Sequence, residues 1–181
     1  MDAIAVAAGV SKPTLYRYYQ NKEALFIAVL EQLAVGHLSD HRLLALLERP
    51  MENLSVLEEA LTLWAQETVK HIIHPTYIGL MRLLIAELPR FPQLGSSFVQ
   101  AVPYQGEVFL WEILESARQH GVIVGDDPDL GVRLLVGSLL TYFLNGLLTS
   151  DGVQHVPPPE HIAALVRLVL QAIARPNQME V

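Results

Sequence analysis

Cysteine is absent from this 181-residue chain, which excludes a disulfide, a thiolate nucleophile and any zinc site built on thiolates. A chain without cross-links fits a reducing compartment, and the cytoplasm is the expected location. Aromatic residues are few, at 7%, and twelve cations face nineteen acids for a net charge of -7. An acidic body repels nucleic acid, so any contact of that kind must be confined to a small region. The opening MDAIAVAAGV has neither the basic start nor the long apolar core of an export signal. No nucleophile elbow, phosphate-binding glycine loop or HExxH zinc motif is present, so neither an enzyme nor a resident cofactor is expected.

One long stretch lacks charge: LLVGSLLTYFLNGLLTS, from Leu134 to Ser150. It is shorter than the roughly 20 residues that span lipid, contains Asn145 and is bracketed by Arg133 and Asp151. The expectation is a helix buried all round in protein, with no membrane partner.

What the chain does have is apolar residues at helical spacing. At 51% hydrophobic composition it can bury a substantial core in one or two domains, and no strand alternation is found, so the expected class is all-α. Met1 to Ala8 predicts a first helix closed by Gly9. Ser11 then caps a second helix with Pro13 in its first turn, and Asn21 caps a third running from Lys22 toward Leu47. Further helices are expected from Asn53 to Ile73, from Thr76 to about Glu87, and from about Leu94 to His120, the last interrupted or kinked near Pro103 and stopped at Gly121. Asp126, Asp127 and Asp129 place negative charge at the start of the next helix, which runs to about Thr149. Pro157 to Pro159 open the last, which ends before Pro176.

A helix, a glycine-containing turn and a second helix form the helix-turn-helix arrangement, whose second helix lies in the major groove of DNA. Ile4, Ala5, Val10 and Leu15 are the apolar positions expected to hold the pair together, leaving Lys12, Thr14, Arg17 and Tyr18 on the other face. Three cations and no acid lie between Ser11 and Lys22. Residues 1–26 carry net +1 and residues 27–181 net -8, so this tip is the part of the surface that welcomes phosphates.

IAVAAGVSKPTLYRYYQNKEAL, from Ile4 to Leu25, closely resembles the DNA-binding signature of the TetR family of transcriptional regulators, with Tyr19 where phenylalanine is commoner. The resemblance implies that Ser11, Lys12, Pro13 and Thr14 open the recognition helix toward base edges. It also implies that Tyr16, Tyr18 and Lys22 reach phosphates and that Arg17 can do either. Lys12 suits guanine O6 and N7, Pro13 a thymine methyl, and Lys22 a phosphate near its helix start. Family members carry a further helix ahead of this signature, packed across the helix-turn-helix. This chain as written begins inside the second helix of that pattern, which leads to the expectation of a folded, dimeric part from about Asn53 and a labile start up to about Tyr19.

By the same resemblance, residues 1–47 are expected to form the DNA-binding domain with its connecting helix from Lys22. Residues 48–181 would form a helical-bundle domain for effector binding and dimerisation. RLLIAELPRFPQLGSSFVQA, from Arg82 to Ala101, is similar to a segment of a subgroup that includes regulators of multidrug efflux. Leu61, Trp64, Thr68 and His71 share a helix face, followed by Tyr77, Met81, Phe98, Tyr104, Phe109 and Trp111. Such a stripe is ordinarily core; in this family context it encloses a ligand, and Trp64, Thr68, His71, Met81, Tyr104 and Phe109 are the candidates to line the cavity. Dimerisation is expected through Leu134, Gly137, Leu140, Thr141 and Leu144 with Ile162, Leu165, Val169 and Ile173. His37, Asp40 and His41 have metal-ligand spacing, as do His71 and His74, but without a dense carboxylate cluster no metal is expected.

The expected function is a ligand-responsive regulator, most plainly a repressor. It would bind double-stranded DNA at a palindromic operator as a homodimer and be released by a small apolar or amphipathic effector. Two rivals stay open: a dimeric ligand-binding module that has lost DNA binding through a shortened start, and an enzyme on a helical scaffold.

Overall fold

Side-chain caps fix where several of the helices begin. In the computed structural model, which describes residues 1–35, 45–46, 48–101, 103–124, 128–149 and 156–174, Ser11 Oγ accepts the Thr14 amide at 3.2 Å and Asn21 Oδ1 accepts the Ala24 amide at 2.7 Å. Asn53 Oδ1 does the same for Val56 at 3.0 Å, each cap satisfying an amide that the helix cannot. Helix α1 spans Asp2–Ala7, α2 Lys12–Tyr18, α3 Lys22–Val35 and α4 Leu54–Ile72. They are followed by α5 Pro75–Glu87, α6 Gln93–Ala101, α7 Pro103–Gln119, α8 Asp129–Leu148 and α9 Pro159–Ile173.

Among the described residues two glycines have positive φ, Gly9 at 66° and Gly121 at 71°, and they follow α1 and α7, where a left-handed residue ends a helix without strain. Pro75 and Pro103 fall at the first positions of α5 and α7. There the proline opens a new helix, and the segment expected to be interrupted or kinked near Pro103 is α6 followed by α7. The predicted all-α class is the observed one, since the described residues contain no strand beyond an isolated bridge between Ile123 and Ala174. The expected course of α3 to Leu47, the boundary at residues 47 and 48, and the contribution of Asp126 and Asp127 to α8 involve positions outside the described residues.

The main core gathers α4, α7, α8 and α9. Leu57, Leu61, Leu110, Ile113, Leu114, Leu135, Leu139, Ile162 and Val166 are almost wholly buried in one cluster, each contributing roughly 1.5–3 kcal/mol on removal from water. A second cluster joins Tyr77, Met81, Leu84 and Leu94, with Phe26 and Ile27 of α3 packed against it. The helix that follows the helix-turn-helix is thereby anchored on α5 and α6 through its apolar side.

The expectation that the uncharged run is buried all round is corrected by α8. Only 22% of its most apolar window is buried, and by length and composition it is the one helix among the described residues that could cross a membrane. Gly131, Val132, Leu135 and Leu139 face the core, whereas Leu130, Leu134, Leu140, Leu144 and Leu148 are exposed. The remaining helices can cover only one side of a 20-residue cylinder.

Candidate functional site

At the N-terminal tip, Ala5 of α1 and Leu15 of α2 are buried against each other's helices, and Ile4 is half-buried. Val10, expected in that small core, is exposed. It sits on the outside of the turn, its amide donating to the Ala5 carbonyl at 3.0 Å. Burying one side of α2 turns the other side out: Ser11, Lys12, Pro13, Tyr16, Arg17 and Tyr18 are exposed and Thr14 is half-buried, its hydroxyl 2.7 Å from that of Ser11. The Arg17 guanidinium stacks on the Tyr18 ring, 5.1 Å from its centroid, which spreads a cation and a phenol over one surface. Lys22, the first residue of α3, is exposed beside the end of α2.

Two acids that pattern reading left out meet these lysines. Lys12 Nζ lies 2.8 Å from Asp2 Oδ1, and the hydrogen bond and charge of Lys12 hold the Asp2 carboxyl below its ordinary range while Asp2 raises the lysine. Lys22 Nζ lies 3.7 Å from Glu87 Oε1 at the end of α5. Next to it, Gln93 donates its amide to Glu23 at 3.0 Å. Sequence separations of 10 and 65 residues put both lysine pairs beyond any helical-spacing rule.

The six effector candidates do not form one described cavity. Trp64 and Phe109 are buried in the main cluster and Met81 in the second. Thr68 and His71 are half-buried on the Trp64 face of α4, and the side chain of Tyr104 lies outside the described residues. Trp64 Nε1 and Thr68 Oγ1 are buried polar atoms with no hydrogen-bond partner among the described residues, and an unmade bond at such an atom costs roughly 1–3 kcal/mol. The His71 ring tilts against Tyr77 with centroids 5.0 Å apart, and Tyr77 meets Phe143 edge-on at 6.0 Å. Burial pushes the Tyr77 hydroxyl up to about 12 and, with His74 nearby, lowers His71 from its ordinary value. Both are therefore neutral near pH 7. Trp111, counted with the stripe, turns outward instead.

Two cavities are described. One, about 320 Å³, is lined by Asn21, Lys22, Phe26, Leu83, Glu87, Phe91 and Leu94 at the junction of α3 with α5 and α6. The other, about 780 Å³, is an open cleft beside α4 with Arg49, Glu58, Glu59 and Gln66 on its walls. Neither is lined by the six candidates.

Of the residues expected at a dimer interface, Leu134, Gly137, Leu140, Thr141 and Leu144 are exposed on one side of α8. Ile162, Val169 and Ile173 are corrected: they are buried in the chain's own core, because the most apolar side of α9 packs on α4 and α8. Leu165 is half-buried against that core. The apolar residue that α9 leaves open is Leu168, 66% exposed, which joins Leu130 and Leu148 among the exposed leucines missed by spacing. His74, weighed with His71 as a ligand pair, caps α5 by accepting the Thr76 amide at Nδ1, and no cluster of three metal-binding side chains occurs among the described residues. His37, Asp40 and His41 lie outside them.

Residues 1–29 match the family model described as bacterial regulatory proteins, tetR family. Residues 59–175 match that of the AefR-like transcriptional repressor C-terminal domain. The chain is 28% identical over 145 residues to the HTH-type transcriptional regulator YvaF of Bacillus subtilis (strain 168), covering 77% of this chain and 68% of that protein. Among solved structures it is similar to the flavonoid-responsive regulator FrrA, with 32% identity, a TM-score of 0.69 and coverage of 97% of this chain and 87% of the other. A TetR-family regulator from Mesorhizobium loti MAFF303099 shares the fold at a TM-score of 0.76 and 22% identity, over 95% of this chain and 85% of that one.

Proposed function

The chain belongs to the TetR family of bacterial transcriptional regulators, and from that premise we propose that it is a cytoplasmic repressor that binds a palindromic operator as a homodimer and is released by a small effector. Residues 1–47 form its DNA-binding part and residues 48–181 its effector and dimerisation part in this reading. The observation that carries it is the outward side of α2, where Ser11, Lys12, Pro13, Tyr16, Arg17 and Tyr18 project from a helix whose other side is buried on α1. Thr14 opens the same helix, and Lys22 adds a phosphate contact at the start of α3. The test is binding to duplexes tiled across the DNA upstream of its own reading frame: a specific complex that Lys12→Ala weakens is expected, and no sequence preference at any salt would sink the reading.

The exposed leucines of α8, with Gly137 and Thr141 between them, and the exposed Leu168 of α9 support a two-fold interface of four helices. An apolar stripe this long on a surface marks an interaction site.

For the effector, Trp64 Nε1 and Thr68 Oγ1 support an amphipathic ligand that brings hydrogen-bonding groups into an apolar surrounding. Phe109, in the same cluster as Trp64, and the neutral His71 extend the lining in this reading, while Met81 belongs to the second cluster. A flavonoid, the class to which the relative FrrA responds by its name, has that character. Flavonoid titration in a Trp111→Phe background, where Trp64 is the remaining tryptophan, should quench fluorescence saturably, and Thr68→Val should weaken the quenching. Release follows when the ligand binds the DNA-incompetent arrangement better than the competent one. Phe26 and Ile27, packed against the second cluster, offer α3 as the element that moves.

A further inference from the structure

Lys22 is expected to hold a DNA phosphate, and its ammonium lies 3.7 Å from a carboxylate oxygen of Glu87. The two belong to different parts of the fold, Lys22 opening α3 and Glu87 closing α5. The carboxylate is 25% exposed and the lysine 55%, so the acid is the fixed partner and the lysine the movable one. The adjacent Glu23 is engaged by Gln93, which leaves Glu87 facing the lysine. A carboxylate and a phosphate offer an ammonium the same thing, anionic oxygens at hydrogen-bond range. One lysine cannot be fully shared by both.

We propose that Glu87 is an intramolecular stand-in for a DNA phosphate. It holds Lys22 on the body of the protein when DNA is absent, so that the position of α5 sets how readily Lys22 reaches DNA. The inference rests on the DNA-binding reading above and adds to it a competitor outside the DNA-binding part. The small cavity lined by Phe26, Leu83, Phe91 and Leu94 lies between the same two residues, so α5 has room to shift against α3.

The test is a double-mutant cycle on a 30-base-pair duplex of mixed sequence, read by fluorescence anisotropy over a salt series, with circular dichroism to verify folding. Lys22→Ala should weaken binding and lower the slope of log K against log salt by about one unit. Glu87→Gln should tighten binding about two- to five-fold, the range of an exposed ion pair, and should do so only while Lys22 is present. Should Glu87→Gln not fold, Glu87→Asp, whose shorter carboxylate draws away from the lysine, should tighten binding in the same direction. Equal tightening in the Lys22→Ala background would mean a general charge effect and would overturn the proposal. No effect of Glu87→Gln beside a clear effect of Lys22→Ala would overturn it while leaving the DNA contact standing. An unchanged slope for Lys22→Ala would remove the phosphate contact and the proposal together.

Discussion

Arg82 donates its Nε–H to the carbonyl of Leu147 at 3.0 Å, across 65 residues of sequence. Its guanidinium also donates to the carbonyls of Gly146 and Thr149, so one side chain on α5 satisfies the last acceptors of α8, where the helix dipole favours a cation. Because the site is exposed, removing it costs less than a buried network would. Arg82→Ala is expected to lower the free energy of unfolding by roughly 1 kcal/mol in urea titrations. Arg82→Lys should recover little of it, since an ammonium lacks the planar fork.

Two glycines of α8 separate the chain's own core from its outward side. A side chain at Gly137 would meet nothing within 4 Å, whereas a Cβ at Gly131 would lie 3.0 Å from Leu114 Cδ1 and 3.3 Å from Ile173 Cδ1. Gly137→Arg is therefore expected to leave the unfolding midpoint of the monomer in place while abolishing dimers in sedimentation. Gly131→Val should cost roughly 1–3 kcal/mol of stability through overpacking. A dimeric Gly137→Arg protein would remove this side of α8 from the interface.

Much of the fold was legible because its signals are local. Ser11, Asn21 and Asn53 each bond an amide three residues on, and Gly9 and Gly121 sit where a helix must end, all within reach of a sequence window. Which side of α9 faces outward is not set locally in this way. Periodicity shows that Ile162, Val169 and Ile173 share a face but not whether that face meets the same chain or another. The partners of Lys12 and Lys22 were invisible because they depend on how α1 and α5 are placed in space, and so was the separation of Met81 from Trp64 into different clusters.

His71 ties stability to pH. Burial lowers it from 6.5, so below that value the unfolded chain binds a proton that the folded chain resists. Stability from this group is present above about pH 6.5 and is lost as pH falls toward the depressed folded value. In thermal unfolding followed from pH 7.5 to 5.0, His71→Gln should flatten the decline of Tm relative to wild type, with the two curves converging at the acid end. Parallel curves over the whole range would show that His71 carries no such linkage.

The Asp2–Lys12 pair gives the sharpest separation between folding and recognition. Both side chains are exposed, and a pair of this kind adds little to stability, so Lys12→Ala and Asp2→Asn should each leave the unfolding midpoint nearly unchanged. Their effects on DNA should differ in sign and in kind. Lys12 is proposed to meet a base edge, and its loss should weaken operator binding about 5- to 150-fold while relaxing preference at one base step. Asp2 draws the lysine toward α1 and places a negative charge beside the recognition helix, so Asp2→Asn should tighten binding to operator and to unrelated DNA alike. The ratio between the two should then stay unchanged, because the gain at the phosphates is indifferent to sequence. The comparison is made with operator and scrambled duplexes at one salt concentration. If Asp2→Asn instead weakens the operator complex alone, the acid is aiming Lys12 at its base rather than restraining it, and the pair becomes part of the recognition surface.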